Sequence, residues 1–196
     1  SIRDRRFARE QVAAQIMINV FSKKETDEFH RSRYIDLQDF FKQKESFSTL
    51  DKKLVSEIKT NLKATSQSLD NRLKYINNRA MAVSVYLVAN DLIQQGKKSE
   101  LNSFAVFLVK FLRTLKWQVQ LGLDMNREYR ELLNFQTSIT QAAGEKTAIE
   151  KRHNFLKEYF NMFKKEKCIK GDKEFKKKGK DPDKERDKIK LTTVED

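Results

Sequence analysis

The chain has 196 residues, with five glycines, one proline and 14 phenylalanines, a composition that points to one all-helical domain, with or without a tail. A formal net charge of +13 favours anionic partners, with nucleic acid first and acidic membrane or protein surfaces next; the plainer reading is a basic protein with no polyanion partner. The lone cysteine, Cys168, excludes an internal disulfide and fits a reducing cytoplasm, and the longest apolar run, Phe104–Val109, is too short to span a bilayer. The opening Ser1-Ile2-Arg3-Asp4-Arg5-Arg6 is charged where a signal peptide would be apolar, and the lack of an initiator Met suggests a processed chain or a fragment of a longer one.

In chain order, Arg5–Phe21 places Phe7, Ala13, Ala14, Ile16, Met17, Val20 and Phe21 on one broad apolar face and predicts a helix. Arg3, Arg6 and Arg9 recur every third residue on another side, as a phosphate-contacting edge or an ordinary solvated face. Ser22–Glu28 breaks the pattern. Ser32 is placed to cap a short helix with Tyr34, Leu37, Phe40 and Phe41 on its stripe. Ser48-Thr49-Leu50-Asp51 has the form of a capping box and opens a long helix to about Ile76, whose narrow stripe sets it on the outside of a bundle.

Ala80–Ile93 is apolar nearly all round, and Leu101–Leu121 is apolar on two faces. Helices of this kind are surrounded by others, so the two are expected to form a central, buried antiparallel hairpin. Gly122 and Asp124 then stop one helix and cap the next, Asp124–Gln136, and Thr147–Glu150 has the pattern of a capping box for the last strong helix. From Lys164 to Lys190 there are 13 Lys/Arg against 7 Asp/Glu and few apolar residues, so residues 168–196 are expected as a basic, mobile tail on a helical domain of residues 1–167.

Phe135-Gln136-Thr137-Ser138-Ile139-Thr140-Gln141-Ala142-Ala143-Gly144-Glu145-Lys146, then Arg152-His153, Leu156, Tyr159-Phe160 and Ile169-Lys170-Gly171-Asp172, resemble the C-terminal helical half of the domain-of-unknown-function 262 family. These are GmrSD-like restriction and phage-defence proteins with a ParB/sulfiredoxin-type catalytic domain ahead of the helices. The opening Asp4-Arg5-Arg6-Phe7-Ala8-Arg9-Glu10 resembles the passage between the two parts. Neither the family's Asp-Gly-Gln-Gln-Arg loop nor an HNH-type nuclease module is in this sequence, so no catalytic residue carries over. The resemblance implies a helical companion to a catalytic domain, N-terminal in the same parent chain or on a partner subunit.

The residues themselves offer little chemistry. Two histidines and one cysteine form no metal-ligand cluster, and no phosphate-cradling glycine loop is present, so neither a metal nor a cofactor is expected. His153 shares a face with Ile149 and Leu156, where a hydrogen-bonded core or boundary role is the ordinary one. Asp181–Lys188 has the letters of a PD-(D/E)xK nuclease but lies in a solvated charge run, without the sheet that chemistry needs. Trp117 and Lys110 share a helix face, as a docking patch or as a second core face.

The expectation is therefore an all-α bundle of six or seven helices around a central antiparallel hairpin, with a basic C-terminal tail. Its expected role is non-catalytic, positioning DNA or the catalytic domain of a restriction or defence protein. The nucleic-acid-binding residues would be Arg3, Arg6, Arg9, Arg152, Lys176, Lys177 and Lys178. The alternative is a protein–protein scaffold with a basic surface and no nucleic-acid role; a membrane partner is not expected.

Overall fold

The computed structural model describes residues 8–44, 46–121 and 129–191. Among them the chain is all-α, with nine α-helices. These are α1 (Ala8–Thr26), α2 (Tyr34–Gln43), α3 (Thr49–Leu69), α4 (Arg79–Gln94), α5 (Leu101–Leu121), α6 (Glu131–Thr140), α7 (Lys146–Glu166), α8 (Asp172–Lys177) and α9 (Pro182–Asp187). No helix of the described residues is long and apolar enough to cross a membrane. Seven of the nine match the expected bundle; the two short ones lie in the segment expected as a tail.

The apolar periodicity of α4 explains its place. Its residues Met81, Val85, Val88, Ala89 and Leu92 face a large cluster built with α5, α6 and α7. From its other side Val83, Tyr86 and Leu87 join a second cluster with Ile16, Val20 and Phe21 of α1, Ile58 of α3 and Ile149 of α7. A helix shared by two clusters must be apolar nearly all round, as this one is. The axis of the fold is α4, therefore, more than α5. The two helices of the expected hairpin are both deeply buried, but they make little contact with each other: α4 packs on α7, α1 and α3, and α5 on α3, α6 and α9. Fully buried Phe104, Phe107, Leu108 and Phe111 anchor α5, while its Val106 and Val119 reach solvent.

Local capping follows the sequence in one place and departs from it in others. Ser48 Oγ accepts from the Asp51 amide at 3.1 Å, and Asp51 accepts from the Ser48 amide at 3.0 Å, which fixes the start of α3. At α2 the capping role expected of Ser32 passes to Asp36, which accepts from the Arg33 amide at 2.9 Å, and Ser32 is buried with its amide donated to Gly144 O at 2.8 Å. At α7 the cap is Glu145, and the pattern from Thr147 lies inside the helix. α1 runs on through polar residues to Thr26, beyond the expected break at Ser22. The expected stop and cap at Gly122 and Asp124 lie outside the described residues.

Residues 168–191 are not a detached tail. Ile169 and Phe175 are buried in the large cluster, and Phe175 meets the Trp117 ring edge-on at 4.8 Å. Trp117 is thus core, the ordinary alternative for that face. Gly171, at φ +91°, lies so close to the Tyr129 ring that a Cβ would stand 2.9 Å from it. Beneath these contacts is a buried ion pair, Arg186 Nη1 to Asp172 Oδ1 at 2.7 Å and Nη2 to Oδ2 at 3.0 Å. Asp172 also accepts from Tyr129 Oη at 2.8 Å and from the Ile169 amide at 2.9 Å. Sparse apolar residues suggested a tail with no core of its own; two aromatic anchors and one buried ion pair are enough to dock it on a core already formed.

Asp183 joins the same contact, 2.9 Å from Lys110 Nζ and also bonded to Arg186. Burial would push its carboxyl up, but hydrogen bonds and charge from Lys110 and Arg186 outweigh that and hold it at about 2, below the ordinary 3.8. A carboxyl depressed in the folded state adds stability above its unfolded pKa and loses it as the pH falls through the folded one. Stability should therefore drop as the pH falls from about 4 toward 2. The drop should be smaller for Asp183→Asn, as read from urea midpoints at pH 7 and pH 3. An equal drop in both proteins would remove Asp183 from the account.

Candidate functional site

The candidate binding residues named from the sequence do not lie together. Arg3 and Arg6 lie outside the described residues, and Arg9 is exposed on the first turn of α1. Lys176, Lys177 and Lys178 are exposed on and just after α8. α1 packs with α2, α3 and α4, whereas α8 packs with α9, so Arg9 and the three lysines belong to different parts of the bundle.

Around α8 and α9 only Asp172 is buried, against Arg186, while the exposed Asp183 and Asp187 reach Lys110 and Arg113 of α5, the latter at 3.2 Å. Lys177 pairs with Glu174 at 2.8 Å, while Lys176 and Lys178 have no carboxylate partner among the described residues. A second basic stripe was missed in sequence. Lys52, Lys59 and Lys63 are exposed on one face of α3, at spacings of seven and four that keep them within a narrow arc. That spacing is legible in the sequence, but the apolar stripe of the same helix is the stronger signal.

The expected surface role of Arg152 is corrected. Only 1% of this residue is exposed, and its guanidinium ties three elements together. Nε donates to Ser84 Oγ on α4 at 2.9 Å, Nη1 to Ser138 O on α6, and Nη2 to Ala143 O at 2.8 Å. It lies too deep to meet the backbone of a duplex. Burial alone, with no carboxylate opposing it, lowers its pKa to about 10. Its neighbour His153 is the hydrogen-bonded boundary residue expected: Nε2 donates to Asp91 Oδ2 at 3.0 Å, and Lys157 donates to the same oxygen at 3.0 Å.

Arg152 lines a cavity of about 470 Å³ between α1, the start of α2, the start of α4 and the 139–144 turn. Gln11 and Gln15 come from α1, Arg33 and Tyr34 from the start of α2, and Asn78, Arg79 and Ala80 from the first turn of α4. Val83, Ile139 and Ile149 supply apolar wall. Asn78 Oδ1 caps α4 by accepting from the Met81 amide at 3.2 Å, which puts the positive end of that helix at the cavity. Arg33 is partly neutralised by Asp36 at 3.2 Å and Glu145 at 3.6 Å, whereas exposed Arg79 donates to the neutral Gln11 Oε1 and meets no acid among the described residues.

Among the described residues no group of three or more His, Cys, Asp or Glu is placed to hold a metal ion. The carboxylates of Asp181–Lys188 serve the fold, with Asp181 capping α9 at Asp183 N, 3.0 Å away. In comparisons with known proteins, no family model, no curated protein and no solved structure matches this chain.

Proposed function

We propose that this chain is a non-catalytic helical domain that engages duplex DNA through its phosphates, and that it works beside a catalytic domain or subunit of a restriction or defence protein. The observation that carries the reading is the exposed run Lys176, Lys177 and Lys178 at α8, in which Lys176 and Lys178 have no carboxylate partner among the described residues. The +13 charge and the lysine stripe on α3 agree with it, and the defence context rests on the family resemblance of the sequence. Lysines without aromatic or amide companions suit phosphate attraction and not base readout.

The test replaces Lys176, Lys177 and Lys178 together by Gln, and in a second protein Lys52, Lys59 and Lys63. Cutting off the C-terminal segment would be a poor substitute, because it removes Ile169 and Phe175 from the core. Loss of phosphate contacts should weaken binding by a similar factor on duplexes of unrelated sequence. If neither triple changes duplex affinity, the lysines are not the interface. If the unaltered chain ignores duplex but binds an acidic protein, the scaffold reading replaces this one.

A further inference from the structure

Buried cations in proteins are ordinarily paired with an acid, because an isolated charge away from water is costly. Arg186 obeys the rule, with Asp172 and Asp183 against it. Arg152 does not. Its three bonds go to a hydroxyl and two carbonyls, all neutral, and they use three of the five N–H groups a guanidinium carries. The charge lies at the wall of a cavity that also takes Arg79, another guanidinium without an acid among the described residues, and the positive end of the 16-residue α4.

We infer that this cavity is a binding site for a phosphate monoester, with Arg152 at its depth, Arg79 at its rim and the first turn of α4 between them. Two uncompensated guanidiniums and a helix N-terminus match a dianion better than the single charge of a carboxylate. The amides of Gln11 and Gln15 can meet the ester or its neighbouring polar groups, and Val83, Ile139 and Ile149 give an apolar flank for the organic part. A volume of about 470 Å³ has room for more than the phosphate alone. The inference does not depend on the duplex-binding lysines, which lie on other elements.

The same chemistry is offered by a small phosphorylated molecule or by a 5′-phosphorylated end of a nucleic acid. Calorimetric titration at low salt distinguishes them, using phenyl phosphate, benzoate, and a short oligonucleotide with either a 5′-phosphate or a 5′-hydroxyl. Saturable one-to-one binding of phenyl phosphate over benzoate is expected for a small-molecule site. Binding of the 5′-phosphorylated strand alone would assign the same pocket to a strand end. Arg79→Gln, at an exposed residue that should leave the fold intact, should weaken binding about tenfold or more. Arg152→Lys should weaken it too, by losing the planar fork, and the Lys176/Lys177/Lys178→Gln triple should leave it unchanged. No saturable binding of either phosphate probe, equal binding of benzoate, or indifference to Arg79→Gln would overturn the assignment.

Discussion

Asp172→Ala should destabilise the protein by about 3–5 kcal/mol, the range for breaking a buried ion pair by removing one partner. The change leaves the Arg186 guanidinium, itself 2% exposed, with only the half-exposed Asp183 for compensation. It also deprives Tyr129 Oη and the Ile169 amide of their acceptor. Removing both members of the pair, as in Asp172→Asn with Arg186→Met, should cost less than the single-change effects added together, because neither charge is then stranded. Urea unfolding followed by fluorescence reads this well. The single tryptophan, Trp117, touches Phe175 and so reports on the docked segment directly. A loss below about 1 kcal/mol for Asp172→Ala would mean that the docking of the C-terminal segment does not depend on the buried ion pair.

Phe107→Ala should cost a similar amount, about 3–5 kcal/mol, through the cavity it opens. The Phe107 ring is fully buried and lies 5.9 Å from Phe104, 5.6 Å from Phe111, 5.5 Å from Phe160 and 5.7 Å from Phe163. Its sequence neighbour Val106 is 49% exposed and offers an internal control, since Val106→Ala should fall within roughly 0.5 kcal/mol of the parent. The contrast is informative because the two apolar residues are neighbours on α5, a helix whose sequence is apolar on two faces. Equal effects would show that the helix is rotated from the orientation described.

α5 also separates what could be read from the sequence from what could not. Periodicity marks which helix faces are apolar, so the all-α class, most of the helices and the role of Ser48 were legible. Periodicity does not name the partner, and so α4 and α5 looked like a tight hairpin although each packs mainly on other helices. The C-terminal segment was misread for a related reason. Composition measures how much core a segment carries, not whether Phe175 and Ile169 can complete one already formed. Among the candidate site residues, the exposed lysines of α8 followed from local sequence. The cavity did not. Arg33, Arg79 and Arg152 are far apart along the chain, and only the packing of α1, α2, α4 and α7 brings them to one wall. Arg152 looked like a surface cation because nothing local announces that Ser84, Ser138 and Ala143 will enclose it.

The most direct test of the functional account is the affinity of the chain for a fluorescent duplex at several salt concentrations, alone and with Lys176, Lys177 and Lys178 changed to Gln. Log affinity should fall linearly with log salt, with a slope near −0.9 for each phosphate contacted. The triple variant should give a slope shallower by about one unit for each lysine that meets a phosphate. A chain that shows no duplex binding even at low salt, or a slope that the triple leaves unchanged, would contradict the functional account.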